Sequence, residues 1–347
     1  MWIFIGKKVA RVSTQIVRQV SNFADDLGES LIEAKKGFFN DRDNRKNIKS
    51  LKIAILGLPN VGKSTLINHL IGRPVCAVSQ KVHTTRSKAA AICSIDDTQL
   101  VFLDTPGLVG KGDIKKYKLE ESFTRDAENS MKEADVVGVV QDMTNIRSRE
   151  LISEKILSLL KSKRDDTNSI LILNKIDTLT NKKDLLGVVA KLTSKEIWPN
   201  FTDVFMISAL TGDGIDDLRN YFLDSAKDKN WEYKKDTITD QPVNDMIQRV
   251  VRSKLLDSLN QELPYRVNVG VEHLDYYPDN TVDVLVRIQC PTSRISRLLV
   301  GVRGERIKML AKNAEQDLCK IFQTTVRLRL EVPGNEVKEK LRLNKSK

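Results

Sequence analysis

Leu51-Lys-Ile-Ala-Ile-Leu-Gly57-Leu-Pro-Asn60-Val61-Gly62-Lys63-Ser64-Thr65 decides how this chain folds. Its first six residues read as a buried strand, and Ser64-Thr-Leu-Ile-Asn-His-Leu70 opens a helix. Between them, Gly57-x-x-x-x-Gly62-Lys63-Ser64 fits a phosphate-binding loop, or P-loop. Glycines let backbone N–H groups wrap a polyphosphate, and the helix N-terminus adds a field that favours negative charge. Gly57, Asn60, Val61, Gly62 and Thr65 form this cradle. Lys63 is placed to reach the β- and γ-phosphates, and the Ser64 hydroxyl to ligate Mg²⁺. Strand, glycine loop and helix in that order predict an α/β fold, with a mostly parallel sheet and helices on both faces.

Three later motifs select the base. Leu100-Val-Phe-Leu-Asp104-Thr-Pro-Gly107 is an apolar strand ending in an acid and a glycine. Asp104 can hold Mg²⁺ through water, and the Gly107 N–H can meet a γ-phosphate. Ser169-Ile-Leu-Ile-Leu173 is another strand, followed by Asn174-Lys175-Ile-Asp177. A carboxylate at Asp177 can accept from the N1–H and exocyclic amine of guanine. Adenine offers neither donor there and would leave the acid unpaired. The Lys175 stem can pack on the base. Asp203-Val-Phe-Met-Ile207 leads into Ser208-Ala209-Leu210, whose backbone can meet the guanine oxygen. All four motifs fall at carboxyl ends of strands, where ligands bind in such sheets. In this order they resemble the set found in GTPases.

Val82-His-Thr84-Thr85-Arg86 lies where a switch segment belongs, with one threonine on Mg²⁺ when the γ-phosphate is present. Thr85 is the first choice and Thr84 the alternative. Many GTPases place a glutamine after the glycine of the second motif to orient the attacking water. Leu108 stands there, so slow intrinsic hydrolysis is expected. Asn60 resembles the asparagine with which some GTPases hold a potassium ion, whose charge then serves in place of an arginine finger. Lys63, Thr85 and Asn60 are therefore the expected catalytic groups.

The chain has 347 residues, enough for two domains. No apolar run approaches the ~20 residues that span a bilayer. Its four cysteines are far apart, which suggests neither a zinc site nor a disulfide framework. Residues 1–24 carry Lys7, Lys8, Arg11 and Arg18, three hydroxyl side chains and no acid. Val9, Val12, Ile16, Val17 and Val20 share a helical face, the pattern of a mitochondrial transit segment. Residues 25–49 read as a polar lead-in. The formal charge of +11 is concentrated at the two ends. From Arg287 onward, fifteen Lys and Arg face six Asp and Glu, which implies a polyanionic partner for the C-terminal part.

The nucleotide-binding domain is expected over 50–227, a polar linker over 228–242, a second domain over 243–333 and a basic tail over 334–347. The second domain reads helix, strand, strand, short helix at Ser293–Leu299, helix, strand, with Gly301-Val302-Arg303-Gly304 between the two later helices. A G-x-x-G loop between helices is the RNA clamp of KH modules, a type II α+β domain in this element order. Arg303, Arg306 and Lys308 suit phosphate contacts.

A GTPase domain followed by a KH domain resembles the Era family, over about 51–332. Gly57–Ser64, Thr84-Thr-Arg86, Asp104–Leu108 and Asn174–Asp177 match that family's nucleotide site, and Glu262-Leu-Pro-Tyr-Arg-Val-Asn-Val269 resembles the segment opening its KH domain. The resemblance implies a GTP-controlled assembly factor that binds GTP and GDP. It implies binding to a single-stranded segment near the 3′ end of small-subunit ribosomal RNA, and so to the small ribosomal subunit. The N-terminal extension adds a mitochondrial location: a monomer in the matrix, with peripheral contact to the inner membrane left open. Where Val302 and Arg303 stand, the family often has Lys or Gly. The competing reading is a signalling or membrane-surface GTPase whose basic domain binds protein or anionic lipid.

Overall fold

The computed structural model describes residues 48–76, 89–104, 122–144, 149–179, 184–259 and 263–333. Thr84, Thr85, Gly107, Leu108, Glu262, the segment 1–24 and the tail 334–347 lie outside them, and Asp104 is described by its backbone.

The first sheet has the order β2-β3-β1-β4-β5-β6. Its strands are β1 (Lys49–Leu56), β2 (Ala89–Ile95), β3 (Thr98–Asp104), β4 (Val136–Asp142), β5 (Asn168–Asn174) and β6 (Phe201–Met206). All neighbours run parallel except β2, which is antiparallel to β3. Helices α1 (Lys63–Ile71), α2 (Ser122–Glu133), α3 (Glu154–Lys161), α4 (Asp184–Leu192) and α5 (Ile215–Asp224) cover it. The two-residue period of β1 divides its side chains between two cores. Leu51, Ile53 and Ile55 pack with Leu66, Ile67 and Leu70 of α1 and Leu218 and Phe222 of α5. Ala54 and Leu56 pack with Met131, Ile156, Leu160 and Val188 from α2, α3 and α4. Both faces are therefore buried, which is why the strands read as unbroken apolar runs. β1 lies between β3 and β4, so chain connections leave it in opposite directions. The crevice this opens at the carboxyl end of β1 receives residues 57–62.

Residues 227–241 are not a free connection. β7 (Lys227–Asp228) pairs antiparallel with Lys49 and Ser50. Trp231 Nε1 donates to Lys49 O at 3.0 Å, and the fully buried Gln99 side chain bonds the backbone of Glu232 and Tyr233. Further on, Ile92 N donates to Ile238 O at 2.9 Å and Ala90 N to Asp240 Oδ1 at 2.8 Å. Polar composition reads as a linker, but these bonds use main-chain groups and edge donors that composition does not show. The segment straps the β2 side of the sheet.

The second sheet has the order β10-β9-β8, from β8 (Asn268–Tyr276), β9 (Val282–Gln289) and β10 (Val326–Glu331). β8 and β9 are antiparallel, β9 and β10 parallel. With α6 (Val243–Ser258), α7 (Ser293–Val300) and α8 (Glu305–Phe322), the order is α-β-β-α-α-β, the type II KH arrangement. Val282, Val284, Val286 and Ile288 alternate into a core with Ile247, Val251, Leu299, Leu310, Ala314 and Leu318. The opposite face is polar. Among the described residues, no helix is long and apolar enough to cross a membrane.

Candidate functional site

β1 delivers the glycine loop, and α1 begins at Lys63 directly behind it. Gly62 precedes α1 with φ 99°, a left-handed conformation that side chains rarely adopt, and a Cβ there would strike the Asn174 amide. No acid occupies the first turn of α1, so its N-terminal field is not cancelled. Lys63 is 7% exposed, and its ammonium donates to Gly57 O at 3.2 Å and Leu58 O at 3.0 Å. A polyphosphate would offer that ammonium full negative charge in place of two carbonyl dipoles. Ser64 follows on the first turn. The parallel register sets Asp104 opposite Ile55, two residues before Gly57. A hydroxyl and a carboxylate are hard oxygen donors, which fit Mg²⁺.

Asn174 ties the loops together. It is 1% exposed; its Nδ2 donates to Val61 O at 2.7 Å, and its Oδ1 accepts from Lys175 N at 2.8 Å and Ala209 N at 2.9 Å. One amide thus fixes the phosphate loop, the end of β5 and the Ser208–Leu210 turn. Lys175 has φ 67°, and its ammonium reaches Asn60 O at 2.8 Å and Asp142 Oδ2 at 2.6 Å. Held at its tip, the Lys175 stem spans the crevice, where a base can lie on it. Asp177 is exposed, and its Oδ1 accepts from Ser208 Oγ at 2.6 Å. Ser208 and Ala209 are buried, whereas Leu210 is exposed at the turn. These bonds bring Asn60 and Val61 of the glycine loop, Asn174–Asp177 and the Ser208–Ala209 turn together at the crevice.

Asp142 was not singled out by motif. It ends an apolar strand, as Asp104 and Asn174 do, and that shared position was the signal available for it. It is anchored by Thr144, whose N–H and hydroxyl donate to Asp142 Oδ1 at 2.8 and 2.7 Å. Asn68 carried no signal. It sits inside α1 and bonds the Cys76 backbone through both ends of its amide.

The second candidate surface lies between α7 and α8. Thr292 caps α7 by accepting from Ile295 N at 3.4 Å. The helix ends at Gly301, φ 74°, where a Cβ would stand 2.8 Å from Arg306 Cβ. Arg303 and Gly304 also have positive φ, which turns the chain sharply into α8. Val302 is 79% exposed at the tip, and Arg303 and Lys308 are exposed beside it. Arg306 is partly committed to the fold, because its Nη1 donates to Leu298 O at 2.6 Å.

Ion pairs among the described residues engage two of the three strand arginines of this module, Arg287 and Arg329 but not Arg327. On the polar sheet face, Arg287 bridges Glu272 at 2.6 Å and Glu331 at 3.1 Å, and Arg329 pairs with Asp283 at 2.7 Å. Among the described residues, Arg294, Arg297, Arg303, Lys308 and Lys312 have no such partner. All five lie on α7, the glycine loop or the first half of α8.

Fold and site define a P-loop GTP-binding protein carrying a KH module. Residues 52–175 match the family model described as a 50S ribosome-binding GTPase. The mitochondrial GTPase Era of Danio rerio is 34% identical over 344 residues, covering 84% of this chain and 77% of the relative. GTPase Era of Ehrlichia ruminantium is 34% identical over 283 residues, covering 82% of this chain and 92% of the relative. A crystal structure of a variant of Aquifex aeolicus Era bound to GDP·AlF4⁻ superimposes with TM-score 0.69 at 31% identity, covering 82% of this chain and 93% of that one. A structure of Era with MgGDPNP and nucleotides 1506–1542 of 16S ribosomal RNA gives TM-score 0.68 at 30% identity, covering 85% and 98%. This chain belongs to the Era family of GTPases.

Proposed function

We propose that this chain is a GTP-controlled assembly factor of the mitochondrial small ribosomal subunit. In this reading 50–227 is the GTPase domain, and 243–333 holds a single-stranded segment near the 3′ end of small-subunit ribosomal RNA. The observation that carries it is the Gly301–Gly304 loop, set beside Arg294, Arg297, Arg303, Lys308 and Lys312, none of which makes an ion pair among the described residues. The RNA in the Era complex and the mitochondrial relatives support it, as does the basic segment 1–24. The family model that names the 50S ribosome stops at residue 175 and does not reach the KH module.

In the nucleotide site, Lys63 binds the β- and γ-phosphates and Gly107 N–H meets the γ-phosphate. Asp177 and Lys175 take the guanine, and the Ser208–Leu210 backbone meets its oxygen. Ser64, Thr85 and Asp104 would hold Mg²⁺, which neutralises charge on the β- and γ-oxygens when bound. The Asn174 amide holds the backbones of Val61, Lys175 and Ala209 together, and dipoles held in place need little reorganisation in a reaction.

Fluorescence anisotropy of the full chain on a single-stranded RNA matching the 3′ end tests the reading. Val302→Asp with Arg303→Asp puts like charge against the RNA backbone and should weaken binding at least about tenfold. Equal binding by the double variant, or preference for anionic vesicles over RNA, would overturn it.

A further inference from the structure

The backbone of Ala209 is held from both sides. Its N–H donates to Asn174 Oδ1 at 2.9 Å, and its C=O stands 2.5 Å from Nδ1 of His69. A carbonyl only accepts, so Nδ1 is the donor. His69 occupies the last turn of α1, the helix that starts at the phosphate loop. Asn174 returns to that loop through Val61 O. The contacts close a ring: Val61, α1, His69, Ala209, Asn174 and Val61 again. Phosphate-binding and base-binding elements are thereby set in one frame.

Two further observations place His69 between the turn and α5. Its ring lies against the far end of the same turn, where a Cβ on Gly212 would be 3.8 Å from Nε2. Arg219 of α5 donates to His69 O at 3.0 Å and Leu70 O at 3.2 Å, and is itself held by Asp216 at 2.6 Å. The turn is also closed internally, with Ser208 N bonded to Asp213 O and Gly212 N to Ser208 O, both at 2.9 Å. Ser208 Oγ ties the start of the turn to Asp177, while Asn174 and His69 hold the backbone of Ala209. Asn174 belongs to a recognised motif; His69 belongs to none.

We propose that His69 is a positioning residue for guanine selectivity: by fixing the Ala209 carbonyl it aims the Leu210 N–H of the same peptide at the guanine oxygen, without touching the nucleotide. This rests on Ser208–Leu210 being the turn that meets that oxygen.

The test titrates the full chain with GDP and with 6-thio-GDP. The thio base keeps the N1–H and the 2-amine but replaces the oxygen with a weak acceptor. His69→Leu removes the donor and should weaken GDP about fivefold, the worth of one hydrogen bond, while changing 6-thio-GDP little, so that their affinity ratio narrows. His69→Asn places an amide N–H near the lost Nδ1 and should restore the ratio. Unchanged GDP affinity in His69→Leu, or equal weakening of both nucleotides, would overturn the role of His69. If the parent chain itself fails to distinguish the two nucleotides, the assignment of the turn falls, and the inference with it.

Discussion

In the proposed site, Asp177 places one carboxylate against the edge by which purines differ. Its Oδ1 is engaged by Ser208 Oγ, which orients the group from behind. An amide at the same position reverses half of the hydrogen-bond pattern. Asp177→Asn should therefore lower GDP affinity by at least about a hundredfold and raise affinity for xanthine nucleotides. Competition titration with GDP, XDP and ADP checks this; a parent chain that binds ADP as well as GDP would contradict guanine recognition altogether. Asn60 makes a second prediction. Its backbone is left-handed, φ 61°, and its carbonyl is bonded to Lys175, which sets the residue over the crevice. A potassium ion held there would add positive charge where it develops a use in the transition state. Hydrolysis should run faster in KCl than in NaCl at equal ionic strength, and Asn60→Ala should erase the difference. Identical rates in the two salts would remove potassium from the mechanism and leave nucleotide binding untouched.

Strands and helices were legible wherever burial imposes a pattern. β1, β3, β5 and the helix after Gly62 follow directly from apolar runs, because a sheet covered on both faces has no polar side to show. Motifs at strand ends were legible for a related reason: polar residues that stop an apolar run have to be used there. The strap was not legible. Its residues bond through main-chain groups and through Gln99, whose side chain is 0% exposed inside a strand that otherwise reads as apolar. Gln99 donates to Tyr233 O at 3.0 Å and accepts from Glu232 N and Tyr233 N at 3.2 and 3.1 Å. Gln99→Ala strands these backbone groups and should cost about 3 kcal/mol. Urea unfolding followed by tryptophan fluorescence measures it. An unchanged midpoint would mean that the strap is held by its other contacts alone.

Across the whole molecule, the surplus of positive charge has an address. On the sheet face of the KH module, the Glu272–Arg287–Glu331 and Asp283–Arg329 pairs neutralise two arginines and leave Arg327 exposed, whereas, among the described residues, unpaired basic side chains cluster on α7, the glycine loop and α8. An RNA strand bound there releases counterions for each phosphate it presents to those side chains. With five such contacts and a slope of about −0.7 per phosphate on single strands, affinity should fall about tenfold for each doubling of salt. Lys308→Ala should flatten that slope by about 0.7, because it removes one phosphate contact from the loop side. Arg327→Ala, on the outer face of β10, should leave it unchanged. Anisotropy titrations of the full chain at several KCl concentrations separate the two. A slope that responds to Arg327 and not to Lys308 would place the RNA on the sheet face, and the exposed glycine loop would then need another use.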